Sequence, residues 1–182
     1  MNIVLLVATV FTTTLAGALQ WVDIDRVDWI NMISLQYLWQ GFIFFSVPLL
    51  LILGVHEMGH YYASKKHHVD ASLPYFIPLP PPFLLGTFGA LISTREPIPN
   101  RKALLDIGIA GPLCGFLVAI PISLLGFFLM QQQPLPLPVE GANIMLVPPL
   151  LLQWMQSLFS LSGNYTIHPT LFAGWVGIFL TA

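Results

Sequence analysis

The sequence has few charged residues and a single cysteine. Aspartate, glutamate, lysine and arginine make up 8% of its 182 residues, whereas hydrophobic residues make up 56%. Such a composition excludes an ordinary water-soluble domain, and a net charge of -2 gives no basic surface for nucleic acid. Cys114 lies in an apolar run, and we interpret it as a small buried side chain. The composition therefore predicts an integral membrane protein.

Four apolar segments approach the roughly 20 residues that a helix needs to cross a bilayer. They cover residues 1–22, about 37–62, about 103–130 and 169–182. The first resembles a signal peptide at residues 16–18, but no basic residue precedes its apolar run, so we favour a retained span. The fourth has reached only 14 residues where the sequence stops. We expect an all-α integral membrane protein with about three complete transmembrane helices and a truncated fourth, in one membrane-embedded domain over residues 1–182.

The connection between the second and third apolar segments is polar and basic. Residues 63–102 hold five of the six lysine and arginine residues, so the positive-inside rule places this loop in the cytoplasm. Within it, residues 74–94 alternate prolines with short β-prone runs, which predicts one or two short strands, or a hairpin. The other long connection, residues 131–168, predicts a helix that lies on or dips into the outer interface.

Three ionisable residues interrupt the second apolar segment. His56, Glu57 and His60 form the pattern H-E-x-x-H, which on a helix puts both imidazoles on one face and the carboxylate about 100° away. Neutral imidazole suits zinc, and a neighbouring carboxylate can take a proton from water at the ion. Ionisable residues inside a span are costly unless they bind a metal, pair or face a water cavity. The pattern predicts a zinc site with His56 and His60 as ligands and Glu57 as the catalytic base.

Three separated elements resemble the site-2 proteases, a family of intramembrane zinc metalloproteases. They are HEMGH at 56–60, GTFGALIS at 86–93 and NRKALLDIGIAGPLCGF at 100–116. The resemblance covers about residues 45–120. It implies a helical core around zinc near the cytoplasmic leaflet, and hydrolysis of transmembrane segments of membrane-anchored substrates. It also implies a multi-pass integral membrane protein, which we expect to lie in a prokaryotic plasma membrane.

The sequence departs from the family at the third metal ligand. The family supplies an aspartate from a later span, in an Asn-Pro or Leu-Asp-Gly type of motif, and no such motif is present here. Two ligands bind zinc poorly. Asp106 is the one intramembrane carboxylate that can substitute, although its place near the start of the third apolar segment also suits the positive end of a helix dipole. We therefore expect a sequence truncated before the aspartate motif, and a chain that is inactive by itself.

If the resemblance holds, the strand-forming residues after the H-E-x-x-H motif have a role in substrate binding. A substrate helix must unwind before cleavage, and its backbone groups then need partners inside the membrane. An edge strand at Gly86, Thr87, Phe88 and Gly89 supplies such partners by β-augmentation. His67 and His68 follow two lysines, and we interpret them as part of a basic cluster at the headgroups, with metal binding as the alternative.

Two other classes of function fit parts of the pattern. One is a non-catalytic or transporter-like membrane protein in which His56 and His60 bind metal. The other is a prenyl-protein type of membrane zinc protease, whose third ligand is a glutamate on a later helix. The GTFG and AGP elements favour the site-2 protease family. The expected partners are a transmembrane substrate and the lipid bilayer, with no nucleic acid, and the sequence does not indicate the oligomeric state.

Overall fold

The fold is helical, with one small sheet. The computed structural model describes residues 2–21, 34–80, 83–95, 97–132, 150–159 and 167–181. Its helices are α1 (Asn2–Leu19), α2 (Leu35–Gly41), α3 (Val47–Lys66), α4 (Arg101–Gln132), α5 (Leu150–Ser157) and α6 (Pro169–Thr181). A π-helical turn at Phe42–Ser46 joins α2 to α3, and strands β1 (Tyr75–Pro78) and β2 (Thr87–Leu91) lie between α3 and α4.

Three helical segments are long and apolar enough to cross a membrane. They are α1, the continuous helix Leu35–Lys66 and α4, which confirms the three spans expected from the sequence. The second and third have 32 residues each, about 48 Å of helix against a hydrocarbon core of about 30 Å. Helix α6 is apolar and has 13 residues, about 20 Å. Pro112 and Pro121 both lie inside α4.

Two neighbouring helices form hydrogen bonds with the π-helical turn. Thr170, at the start of α6, donates its hydroxyl to the carbonyl oxygen of Phe44 at 2.9 Å. The hydroxyl of Ser46 lies 2.6 Å from that of Thr13 on α1, with both residues fully buried. Inside a membrane such hydrogen bonds replace water, so they join the three helices around the turn.

The two strands form an antiparallel hairpin, which confirms the strand prediction for residues 74–94. Phe76 pairs with Ala90 and Pro78 pairs with Thr87, so one residue of β1 opposes two of β2. This bulge places Gly89 at a φ of +105°, a conformation that glycine adopts without strain. The hairpin packs on α1, where the Thr12 hydroxyl donates to the carbonyl oxygen of Gly86 at 2.6 Å.

Helices α3 and α4 cross closely at Gly59. A Cβ atom at this position would lie 2.6 Å from the carbonyl oxygen of Ala110, so only glycine permits the observed separation. Helix α6 packs against both helices, and Ile52 of α3 is buried against Gly177 of α6. This three-helix contact encloses the H-E-x-x-H motif.

The outer connection differs in part from the sequence prediction. Helix α5 confirms that part of it is helical, whereas residues 133–149 and 160–166 lie outside the described residues. His168, the last residue of this connection, is buried directly before α6, with its ring 5.5 Å from Trp21 and 5.2 Å from Phe44 between centroids. The aromatic contacts with α1 and the π-helical turn explain this burial, since α6 begins inside the bundle.

Candidate metal centre

The H-E-x-x-H motif lies in the last three turns of α3. Leucine and isoleucine on the preceding turns bury this helix in the bundle, so its motif enters a protein interior and not the lipid. His56 is 9% exposed and Glu57 is 6% exposed. None of the ion pairs among the described residues includes Glu57. The motif is therefore a buried polar group within an apolar helix.

The two imidazoles converge on a single position. The Nε2 atoms of His56 and His60 lie 3.0 Å apart, and the rings are inclined at 82°. The Nδ1 atom of His60 lies 2.7 Å from the carbonyl oxygen of Ile107 on α4. A carbonyl only accepts, so Nδ1 carries the proton and the Nε2 atom of His60 presents its lone pair.

This donor set fits a zinc ion. Two imidazole nitrogens about 2.0 Å from a tetrahedral zinc lie about 3.3 Å apart, close to the 3.0 Å between the two Nε2 atoms. Zinc-binding histidines usually donate their other ring N–H to a carbonyl or carboxylate, and His60 does so to Ile107. The motif thus supplies two ligands in a suitable arrangement, and their assignment to zinc stays a prediction.

Two glycines of α4 make room for the imidazoles. A Cβ atom on Gly111 would collide with the His60 ring at Nε2. One turn further, a Cβ atom on Gly115 would lie 3.1 Å from the Cβ of His56 and 2.7 Å from the Thr181 Cγ2 atom of α6. Gly111 and Gly115 therefore permit a close approach between α4 and the helix that carries the metal motif.

Asp106 does not pair with His56 or His60. Its carboxylate oxygen is 2.9 Å from Nε2 of His67, and its side chain is 44% exposed. His67 therefore contacts α4 and does not join the motif. The expectation that His67 and His68 are only a basic cluster is incomplete, because His67 has an acidic partner.

A third protein ligand does not accompany the motif in the part of the chain that the structure describes. No group of three histidine, cysteine, aspartate or glutamate side chains comes together there to hold a metal. His56 and His60 are thus the two ligand candidates that the described residues bring together.

The four residues proposed for substrate binding have different surroundings. Gly86 turns at a φ of +66° against Thr12 and Thr13 of α1. Thr87 is fully buried, and its hydroxyl bonds the carbonyl oxygen of Ile77 at 2.9 Å. Phe88 is 73% exposed, and a Cβ atom on Gly89 would meet no atom within 4 Å. Gly86 and Thr87 therefore hold the hairpin, Gly89 is buried, and Phe88 is the exposed one of the four.

Sequence reasoning did not find the backbone contact from Ile107. Any residue offers a carbonyl oxygen, so no side-chain pattern marks this one. Its position eight residues before Gly115 on an apolar helix carries no signal until the crossing of α3 and α4 is known.

A helical membrane bundle with an H-E-x-x-H motif buried against a second span is typical of membrane-embedded metallopeptidases. Residues 44–182 match the family described as Peptidase family M50. The chain belongs to this family, the site-2 protease family of zinc metalloproteases, as its sequence motifs indicate. This membership favours the site-2 protease class over the prenyl-protein type.

The curated relatives carry zinc metalloprotease names. The chain is 32% identical over 145 residues to "Probable zinc metalloprotease EGY1, chloroplastic" of Arabidopsis thaliana, which is 74% of this chain and 25% of the relative. It is 32% identical over 145 residues to the protein of the same name in Oryza sativa subsp. japonica, covering 74% and 24%. It is 31% identical over 134 residues to "Probable zinc metalloprotease EGY2, chloroplastic" of Oryza sativa subsp. indica, covering 72% and 24%.

The chain spans about a quarter of the length of these relatives. Their names place them in chloroplasts, so they do not support the expected prokaryotic plasma membrane. The spans and the family do support a membrane protein. No solved structure matches the chain.

Proposed function

We propose that this protein is the motif-bearing part of an intramembrane zinc metalloprotease that cleaves transmembrane segments of membrane-anchored substrates. The observation that carries the proposal is the convergence of the two Nε2 atoms at 3.0 Å, with the His60 tautomer set by Ile107. Family membership supports zinc as the ion and peptide hydrolysis as the reaction.

Each motif residue has one task in this reaction. His56 and His60 would hold the ion through Nε2. When bound, zinc supplies Lewis acidity, which polarises the scissile carbonyl and makes water a stronger acid. The Glu57 carboxylate accepts a proton from the attacking water and then gives it to the leaving amide nitrogen. Glu57 is 6% exposed and is in none of the ion pairs of the described residues, so no described cation competes for its carboxylate.

The position of the motif along α3 gives water access to a reaction inside the membrane. His60 lies six residues before Lys66, about 9 Å of helix, and Lys66 ends α3 within the basic connection 63–102. We place this connection on the cytoplasmic side of the membrane, or its organellar equivalent, by the positive-inside rule. The site then lies just below that interface, where water reaches it by a short path.

Strand β2 is proposed to receive the unwound substrate. Among the described residues it pairs only with β1, so its other edge has unpaired backbone groups. The exposed Phe88 side chain gives an extended peptide an apolar contact beside that edge. Main-chain hydrogen bonds would hold the peptide, as in other cases of strand addition.

The Glu57→Gln variant tests the proposal. An amide cannot accept the proton of water, so we expect retained zinc and abolished hydrolysis of a model transmembrane substrate in a cleavage-competent preparation. Zinc content by elemental mass spectrometry and product by gel electrophoresis measure the two effects. Glu57→Asp is the matched control, because it keeps the charge and is expected to retain part of the activity.

Two results would count against this function. Full activity of Glu57→Gln would remove Glu57 from the reaction. The second result concerns a longer preparation that includes flanking protein up to the length of the relatives. If it binds stoichiometric metal but shows no chelator-sensitive cleavage, the non-catalytic metal-binding alternative is favoured.

A further inference from the structure

A groove follows the outer side of the crossing between α3 and α4. Two adjoining cavities of about 480 Å³ and about 360 Å³ form it, and they share Ala63, Lys66 and Ala110. Their volumes lie in the usual range of small-molecule sites, which is about 300 to 1,000 Å³. From α3 to α4 the larger cavity is lined by Val55, Met58, Gly59, Tyr62, Ala63, Lys66, Ala110 and Cys114.

The larger cavity of the groove is mostly apolar and has a cation at one end, where the smaller cavity adds His67 and Asp106. Val55 and Cys114 line the apolar end, and Lys66, the last residue of α3, is exposed at the other. Lys66 makes no ion pair with any described residue, whereas its neighbour Lys65 binds Asp70 at 2.8 Å. An uncompensated ammonium therefore marks the polar end of the groove.

The length of the groove matches one leaflet of a bilayer. From Val55 to Lys66 there are 11 residues, about 16 Å of helix. Half of a hydrocarbon core of about 30 Å is about 15 Å. A groove that begins at the interface and ends at the midplane fits an acyl chain, whereas a partner helix that crosses the membrane would need a contact of about twice this length.

We propose that this groove binds an anionic phospholipid, with one acyl chain along Val55, Gly59 and Ala110 and the phosphate against Lys66. The basic connection that follows α3 puts Lys66 at the side of the membrane that carries most of the chain's positive charge. Asp106 also lines the smaller cavity, where its carboxylate oxygen lies 2.9 Å from Nε2 of His67 and forms no ion pair with Lys66.

The lipid would also support the helix crossing beside the metal motif. Gly59 contacts Ala110 at the crossing, and the next residues, His60 and Gly111, contact each other. An acyl chain in the groove fills the space beside this contact, where the described residues leave a cavity. This site is separate from the proposed catalytic function and its test uses no cleavage.

Cys114, the single cysteine of the chain, lines the groove and is partly exposed, in contrast to the buried side chain expected from its apolar run, so it reports occupancy without an engineered label site. The full chain is purified in a neutral detergent and titrated with phosphatidylglycerol, with phosphatidylcholine as the neutral lipid. The rate at which a small uncharged maleimide labels Cys114 is measured by mass spectrometry. We expect phosphatidylglycerol to slow the labelling and phosphatidylcholine to leave it nearly unchanged.

Variants at the two neighbouring lysines separate a site from general attraction. Lys66→Gln is expected to need about fivefold more phosphatidylglycerol for half-protection, the effect of removing one cation near anionic lipid. Lys66→Arg should keep the protection. Lys65→Gln is the matched control and should behave as the wild type, because Lys65 points to Asp70.

Four outcomes would overturn the proposal. Protection by phosphatidylcholine to the same extent would show a groove without headgroup selectivity, and equal shifts for Lys65→Gln and Lys66→Gln would show unspecific attraction. Protection by glycerol phosphate alone would show a phosphate site that needs no acyl chain. Protection that rises with protein concentration in the absence of lipid would show a contact between two copies of the chain.

Discussion

The Nδ1 atom of His60 donates a hydrogen bond to the carbonyl oxygen of Ile107, 2.7 Å away on α4. The two residues are 47 positions apart in the chain. This contact fixes which nitrogen of His60 carries the proton, so it prepares the other nitrogen for a metal ion. Helix α4 therefore contributes to the metal centre without supplying a ligand, and changes on α4 should alter metal affinity.

Gly111→Ala should weaken metal binding. The new methyl group would collide with the His60 ring and displace its Nε2 atom from the position shared with His56. We expect a loss of affinity for Zn²⁺ of about ten- to hundredfold, the usual cost of disturbing the residues that orient a ligand. Equilibrium dialysis measures the affinity. Gly108→Ala is the matched control on the same helix, since its Cβ would meet no atom within 4 Å, and equal losses in both variants would contradict the argument.

Gly59→Ala should destabilise the crossing of α3 and α4. Its Cβ would lie 2.6 Å from the Ala110 carbonyl oxygen, so the helices must separate at a cost of about 1–3 kcal/mol. Gly54→Ala on the same helix meets nothing within 4 Å and should be neutral or stabilising by up to about 1 kcal/mol. Thermal unfolding in detergent compares the two. An unchanged melting temperature for Gly59→Ala would show that the crossing tolerates a side chain.

Asp106→Asn should leave the metal stoichiometry of the protein unchanged. The Asp106 carboxylate pairs with His67 and is 44% exposed, so its removal breaks a surface pair worth about 0–1 kcal/mol. Zinc content after dialysis is the measurement, with His60→Ala as the variant expected to lose metal. Loss of zinc from Asp106→Asn would identify Asp106 as the substitute third ligand.

Asp70 should contribute to stability above its ordinary pKa and lose that contribution in acid. The hydrogen bond from Lys65, followed by the charge of Lys65, lowers the pKa of this carboxyl group in the folded protein. A lowered folded pKa means that the stabilisation is complete above the unfolded value of about 4 and is lost as the pH falls through the lower folded value.

Asp70→Asn tests this dependence. The variant should show less loss of melting temperature than the wild type when the pH is lowered from neutral to below 4, because it has no carboxylate to protonate. Arg95→Gln is a milder comparison, since Arg95 lies 3.5 Å from the same carboxylate. Identical acid profiles for the wild type and Asp70→Asn would mean that the pair with Lys65 does not contribute.

Phe88→Ala should lower cleavage without loss of zinc if β2 receives the substrate. Phe88 is 73% exposed on the strand, so its removal leaves the fold intact and takes away an apolar contact for a bound peptide. Leu84→Ala is the matched control, because Leu84 is 62% exposed in the turn outside the strand. Substrate turnover at saturating and limiting concentrations measures the effect. Equal turnover in the two variants would remove β2 from substrate binding.

Gly89→Pro is a poorer test of the same strand. Gly89 has a φ of +105° and donates its N–H to the Thr87 hydroxyl at 3.1 Å. Proline lacks that donor and fixes φ near -65°, so the bulge itself would be lost along with any substrate contact.

The sequence predicted the elements whose signals lie within one segment of chain. Hydropathy located α1, Leu35–Lys66 and α4, because about 20 apolar residues suffice to identify a span. Alternating prolines and β-prone runs located the hairpin. The H-E-x-x-H spacing put His56 and His60 on one helical face, since residues four apart are neighbours on any α-helix.

The sequence by itself determined the membrane class, the two strands and the paired imidazoles, because each depends on local periodicity. The tertiary structure alone decided which carbonyl orients His60, which glycines face the imidazoles, that His67 binds Asp106 and that Thr170 satisfies the π-helical turn. These contacts join residues on different helices, and backbone carbonyls and glycines have no side chain whose type reveals a partner. Their geometry follows from how closely α3, α4 and α6 pack, and that distance is set by all three helices together.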